Sequence, residues 1–162
     1  MNKVYVLTGG NIGDRFVNLT TAQKYLEEEI GKIEKSSSIY ETAAWGNNDQ
    51  PDFYNQVHIL KTTLSADKIM QVILKIEEKM GRVRTTKNAA RIIDIDILFF
   101  NKEIINEAGL IIPHAEIANR RFVLEPLNEL SPNMIHPILN ESISGLLATC
   151  GDTLKVSKVS AL

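Results

Sequence analysis

Apolar and polar positions alternate with two different periods along this chain. Val4–Leu7 is a short continuous apolar run and reads as a buried strand. Phe16, Leu19, Ala22, Leu26 and Ile30 then recur at helical spacing, which predicts an amphipathic helix from about Asp14 to Ile30. Ile33–Thr42 and Phe53–Thr63 predict a second and a third strand. On the third, Phe53, Asn55 and Val57 share one face and Tyr54, Gln56 and His58 the other, and the register leaves open which is buried. A second helix opens at Ser65, with Ser65 or Thr63 as its cap. It carries an apolar face of Ile69, Val72, Ile73, Ile76 and Met80 and stops at Gly81. Ile93, Ile95 and Ile97 alternate with Asp94 and Asp96, the period of a further strand.

The resulting order, β-α-β-β-α-β, is that of the ferredoxin-like plait, an α+β fold with helices packed on an antiparallel sheet. Beyond it lies a C-terminal extension. Asn101-Lys102 turns into Ile104-Ile105, a short apolar strand precedes Pro113, a helix spans Ile143–Thr149 and a last strand Thr153–Val156.

Composition narrows the reading. The 162 residues are expected to form one domain over the whole length, 1–162, with 44% hydrophobic and 23% charged residues, ordinary for a globular protein. A net charge of −2 argues against a general polyanion binder, so nucleic acid is not the expected partner and phosphate recognition must be local. The one cysteine, Cys150, rules out an intramolecular disulfide and a cysteine metal cluster and fits a reducing compartment. The N-terminal apolar run is too short for a signal peptide and nothing approaches a membrane span, so a cytoplasmic protein is expected.

Candidate chemistry concentrates between Arg82 and Phe100. Residues 82–91 hold four basic side chains, Arg82, Arg84, Lys87 and Arg91, and no acid, in a stretch that reads as an exposed cationic loop. Asp94 and Asp96 then fall about 7 Å apart on one face of the strand, at ~3.3 Å per residue. Aspartate is disfavoured inside strands, and two side by side repel unless a cation lies between them. Hard divalent cations such as Mg²⁺ take carboxylate oxygens and keep waters for substrate phosphates, while arginines bind the remaining phosphate oxygens through paired hydrogen bonds. The combination suggests phosphoryl-type transfer from a nucleotide. The plainer alternative is a solvent-facing Asp-x-Asp beside a solvated basic loop.

Other residues are read against similar alternatives. Thr8-Gly9-Gly10-Asn11-Ile12-Gly13-Asp14 fits neither G-x-G-x-x-G nor a P-loop and reads as a tight turn with an Asp near the helix start. Trp45 either plugs the edge of the domain or stacks on a planar ligand. Asn55 offers an amide able to pair with a donor–acceptor edge of a heterocycle. Glu77 borders the apolar face of its helix, where a surface carboxylate is the ordinary expectation. His114, after Pro113, and Arg120-Arg121, before the apolar segment 122–127, are either an anion-binding group or a core histidine with two surface arginines. His58 and His136 read as structural.

Taken together, Gly10–Asp14, Tyr40–Thr42, Asp49–Asn55, Glu77–Arg84, Arg91–Leu98, Pro113-His114 and Asn119–Phe122 resemble, in order and over nearly the whole chain, the 6-hydroxymethyl-7,8-dihydropterin pyrophosphokinase family of folate biosynthesis. The resemblance implies the ferredoxin-like plait and transfer of the β,γ-diphosphoryl unit of ATP to the hydroxymethyl oxygen of 6-hydroxymethyl-7,8-dihydropterin, leaving AMP. It implies two Mg²⁺ ions on Asp94 and Asp96, with ATP as co-substrate, and Arg82, Arg84 and Arg91 closing over the phosphates. His114 and Arg120 match contacts to the ATP phosphates, and Glu77 matches one on the nucleotide side. Thr42, Ala43, Trp45, Phe53, Asn55 and Phe122 match the pterin site, with Phe53 and Phe122 stacking on the pterin ring. A stand-alone monomer is implied.

The chain departs from the family pattern in places. Asn88-Ala89-Ala90 stands where many members carry Trp-Gly-Pro, so the closing loop lacks a tryptophan, a lid contact that Trp45 is expected to replace in part. Ala43 stands where a proline is frequent and Trp45 where an aliphatic residue is frequent, while Leu74 replaces a glutamine and Ala115 a tyrosine that members use near ATP, the two changes that bear on adenine recognition. The competing functions are a non-catalytic ferredoxin-like module that binds a nucleotide or metabolite, and an RNA-binding plait, which the acidic sum and the carboxylate pair disfavour.

Overall fold

Among the described residues six strands pair into one sheet, and helices cover both of its faces. The computed structural model describes residues 1–44, 49–83 and 89–159. In chain order the elements are β1 (Asn2–Gly10), α1 (Arg15–Glu29), β2 (Lys32–Ser36), β3 (Tyr40–Thr42), β4 (Phe53–Thr62), α2 (Ala66–Lys79) and β5 (Asp94–Phe100), followed by β6 (Ile105–Glu107), β7 (Leu110–Ile112), α3 (Arg121–Leu130), α4 (Ile143–Thr149) and β8 (Val156–Lys158). The sheet runs β5-β1-β4-β3-β8, with β2 also on β4, and every pairing is antiparallel. This is the expected ferredoxin-like order, with β5 at an edge.

Both long helices start where the chain supplies a cap. Asp14 accepts the N–H of Val17 at 3.1 Å, and Ser65 accepts that of Lys68 at 3.2 Å. Leu19, Ala22 and Leu26 of α1 and Ile69, Ile73 and Ile76 of α2 pack with Val4, Val6, Leu60, Ile95 and Ile97 on one face of the sheet. The opposite face carries Leu7, Val57 and Ile59 against Val123, Leu124 and Leu127 of α3 and Ile143 and Leu146 of α4. The C-terminal extension thus builds a second core. Phe99 anchors it, 1% exposed, with edge-on contacts to Tyr5 and His136 at 5.7 and 5.6 Å between ring centres.

Four details differ from the sequence reading. Phe16 is 45% exposed, so the buried stripe of α1 begins one turn later, at Leu19. The predicted strand 33–42 is two strands, because the Ser37 hydroxyl takes the Val57 N–H at 3.0 Å in place of a ladder carbonyl and breaks the pairing. The last strand forms at Val156–Lys158 rather than Thr153–Val156, since the Asp152 carboxylate accepts the Leu154 N–H at 2.9 Å and holds a turn there. Strand β1 continues through Gly9 and Gly10, which pair with Asn55 and Tyr54 instead of forming the expected turn.

Candidate functional site

Pairing register builds the floor of a cleft on the α3 side of the sheet. Asp94, Gly9, Asn55 and Tyr40 lie in one cross-strand row, and Asp96, Leu7 and Val57 in the next. Gly9 therefore stands between Asp94 and Asn55 with no side chain. A Cβ there would collide with the Asn55 amide nitrogen, so only glycine leaves this floor open. Phe53, Thr42 and Ala43 rise on one side, and Arg120 and Phe122, at the start of α3, overhang the other. The cleft is open to solvent at its mouth and is also lined by Arg91, Asp94 and Asp96.

The structure thus brings together Thr42, Ala43, Phe53, Asn55, Arg91, Asp94, Asp96, Arg120 and Phe122. Arg91 lies over the Phe53 ring, 5.2 Å from its centre, and Arg120 over that of Phe122 at 5.8 Å. Two aromatic side chains and two guanidiniums in one cleft suit a flat ring beside an anion. A second, shallower cleft shares Asp96 and is lined by Met70, Ile97, Leu110, Ile111, His114 and Ala115. Trp45 and Arg84 lie outside the described residues, as do the other residues of the cationic loop from 85 to 88, Lys87 included.

Glu77 and Arg82 sit behind the aspartates. Glu77 is 3% exposed, not the surface carboxylate that helix position alone suggests. Its carboxylate accepts the Ile95 N–H at 2.8 Å, between the two aspartates on the edge strand. Arg82 donates to Asp94 at 2.6 Å and to the Ile93 carbonyl at 3.1 Å, with Glu77 3.5 Å away. Arg91 reaches the other Asp94 oxygen at 3.4 Å.

Electrostatics separate the two aspartates. Asp94 has two guanidinium partners. Asp96 lies deeper, and its pKa is pushed up to about 7, first by burial and then by the charges of Asp94 and Glu77. Such an under-compensated carboxylate facing a cleft fits an added cation. The described residues hold no cluster of three or more metal-ligating side chains, so a cation here would draw its other ligands from substrate and water, the habit of Mg²⁺. His114 is held below its ordinary pKa by burial and by Arg120. Its Nδ1 accepts the Glu116 N–H at 3.1 Å, which leaves Nε2–H as the donor of a neutral ring. Arg121 turns away to Glu125 at 2.8 Å, and His58 and His136, read from the sequence as structural, are both buried.

One contributor escaped the sequence reading. Asn11, read as part of a turn, is buried between the Arg91 backbone and residues 50–51.

Residues 5–132 match the family model described as 7,8-dihydro-6-hydroxymethylpterin-pyrophosphokinase (HPPK). A 2-amino-4-hydroxy-6-hydroxymethyldihydropteridine pyrophosphokinase of Aquifex aeolicus is 40% identical over 143 residues, 88% of this chain and 89% of that protein. A folic acid synthesis protein of Dictyostelium discoideum is 40% identical over 139 residues, 86% of this chain; the chain spans only 21% of that relative's length. A similar share, 19%, holds for a folic acid synthesis protein of Pneumocystis carinii, 36% identical over 141 residues and 87% of this chain. In structure, the wild-type HPPK-DHPS of Plasmodium falciparum with STZ-DHP superposes with a TM-score of 0.75 at 22% identity, covering 91% of this chain and 43% of that one, a likeness of fold.

Proposed function

Because the chain belongs to the 7,8-dihydro-6-hydroxymethylpterin-pyrophosphokinase family, we propose that it transfers diphosphate from ATP to 6-hydroxymethyl-7,8-dihydropterin, releasing AMP, in folate biosynthesis. The hydroxymethyl oxygen attacks the β-phosphorus, the bond from that phosphorus to the α–β bridging oxygen breaks, and the hydroxyl proton leaves to solvent. The unit is taken to be residues 1–162, acting as a monomer in the cytoplasm, with neither nucleic acid nor membrane as partner. Among the described residues no helix is long and apolar enough to cross a membrane.

The observation that carries this reading is the position of Asp96 at the junction of two clefts. One has two aromatic walls and the Asn55 amide, the recognition surface for a flat pterin; the other is apolar with His114, suited to the base and phosphates of a nucleotide. The acceptor oxygen and the reacting phosphorus would meet beside the carboxylate pair. Asn55 would read the amide edge of the pterin, so analogues without that edge leave buried polar groups unpaired and are rejected. Arg91, Arg120 and the neutral His114, through Nε2–H, would hold phosphate oxygens and stabilise the charge that builds on them. Arg84 joins them in the proposal, closing from the cationic loop and excluding water as a competing acceptor. Arg82, tied to Asp94 and Glu77, would act from behind by fixing the carboxylate.

Asp94 and Asp96 would hold two Mg²⁺ ions. When bound, these ions neutralise the triphosphate and favour ionisation of the acceptor hydroxyl. The test is release of AMP followed with each component omitted in turn. The reading expects AMP only with ATP, Mg²⁺ and the pterin alcohol all present, and AMP formed without pterin would contradict it.

A further inference from the structure

The end of β1 is squeezed between the two walls of the cleft. Gly9 abuts Asn55 on the pterin side. A Cβ on Gly10 would collide with the Ile92 carbonyl on the side that carries Arg91. Asn11 follows at 2% exposure and uses its whole amide. Its Oδ1 accepts the Arg91 N–H at 2.9 Å, and its own N–H donates to the Arg91 carbonyl at 2.9 Å. Its Nδ2 donates to the Pro51 carbonyl at 3.0 Å and to the Gln50 side-chain oxygen at 3.1 Å. One side chain therefore ties together segments that are 40 and 80 residues away in sequence. Pro51 is two residues from Phe53, and Arg91 carries the guanidinium that lies over Phe53 and reaches Asp94.

We propose that Asn11 is a positioning residue that sets the separation of the pterin-binding wall, Pro51–Phe53, from the phosphate-binding wall, Arg91–Asp94, through its simultaneous hydrogen bonds to Pro51 and Arg91. It touches no substrate in this account and acts through Phe53 and Arg91. No other side chain of its size does both jobs. Aspartate keeps an acceptor for the Arg91 N–H but sets oxygen against the Pro51 carbonyl. Leucine fills the space but offers no acceptor to the Arg91 N–H and no donor to the Pro51 carbonyl. Serine is too short to span both walls. The inference rests on the diphosphate-transfer reading and refines it, since transfer between two bound substrates depends steeply on their alignment.

Two variants separate the two arms. Asn11→Asp is expected to leave amide hydrogen exchange at Arg91 unchanged while weakening binding of the pterin alcohol. Asn11→Ser is expected to speed that exchange about tenfold or more and also to weaken pterin binding. Both should lower kcat at saturating ATP and pterin by about 10–100-fold, the scale of a misplacement near 1 Å. Affinity for a non-hydrolysable ATP analogue should change less than pterin affinity. A purely structural role would lower the melting temperature and leave kcat of the folded fraction intact. Folded Asn11→Ser with wild-type kcat, or with unaltered Arg91 exchange, overturns the proposal. A wild type that forms no AMP overturns the transfer reading; variants indistinguishable from an active wild type overturn only the role of Asn11.

Discussion

The carboxylate of Glu77 accepts the backbone N–H of Ile95 at 2.8 Å, the one residue between Asp94 and Asp96. Strand β5 is at the sheet edge, so some of its N–H groups have no strand neighbour. Helix α2 supplies a partner from its buried side, and the same carboxylate stands 3.5 Å from Arg82, which holds Asp94. Glu77→Ala leaves a buried N–H and a guanidinium under-compensated and should cost about 1–3 kcal/mol. Glu77→Gln keeps an acceptor for Ile95 and should recover most of the stability but not the activity, because the charge that orients Arg82 is gone. Denaturant melts and initial rates on both variants check this; equal activity in Gln and wild type would contradict it.

The aspartates should respond oppositely in stability and alike in turnover. Asp94→Ala strands Arg82 and loses the 2.6 Å ion pair, so it should destabilise. Asp96, with a folded pKa near 7, costs stability whenever it is ionised in the metal-free protein. Its pKa is raised on folding, so the penalty grows as pH rises from the unfolded carboxylate range towards 7. Asp96→Asn should therefore raise the metal-free melting temperature at pH 8 and still abolish most turnover. Melting scans in a chelator decide the first point, and a lower melting temperature for Asp96→Asn would contradict it.

Gly9→Ala tests the cleft floor. The methyl would displace the Asn55 amide, so pterin affinity should fall by tenfold or more, on the order of ~1.4 kcal/mol, while binding of the ATP analogue at the other cleft stays close to wild type. Titration calorimetry with each ligand reads both. Loss of both affinities together would mean that the glycine serves the fold rather than the pterin.

His58 gives the fold an acid limit. It is fully buried on β4, with Nδ1 2.7 Å from the Ser36 hydroxyl, and burial lowers its pKa from 6.5 to about 4. The unfolded chain takes up this proton first as pH falls. Stability linked to His58 is therefore complete above about pH 6.5 and is lost as pH falls towards 4, by about 2 kcal/mol between pH 7.5 and 5. In His58→Leu that part of the pH dependence should vanish, which urea melts at the two pH values measure.

Much of this was legible in the chain because it depends on period. The alternation of Ile93–Ile97 with two aspartates placed both carboxylates on one face, and the helical stripes of α1 and α2 fixed the layer beneath them. The sequence reading of Glu77 as an ordinary surface group missed a cue, since it stands four residues after Ile73, inside the apolar stripe. Asn11 had no comparable signal. Its partners at 50, 51 and 91 are distant in sequence, and a glycine-rich stretch before a helix cap reads locally as a turn whether or not another segment packs against it. The break at Ser37 was hidden for the same reason: a hydroxyl that substitutes for a ladder carbonyl leaves no trace in hydrophobic spacing.

In the proposed reaction diphosphate, not a single phosphate, moves from ATP to the pterin alcohol. Phosphorus NMR of the complete reaction mixture tests it most directly, because AMP and a pterin diphosphate give signals distinct from those of ADP and a monophosphate. AMP and the pterin diphosphate should rise together in equal amounts, and only with Mg²⁺ present. ADP with a pterin monophosphate would make the protein a simple kinase, and ATP bound tightly without turnover would make it a non-catalytic binding module; either result would rule out diphosphate transfer.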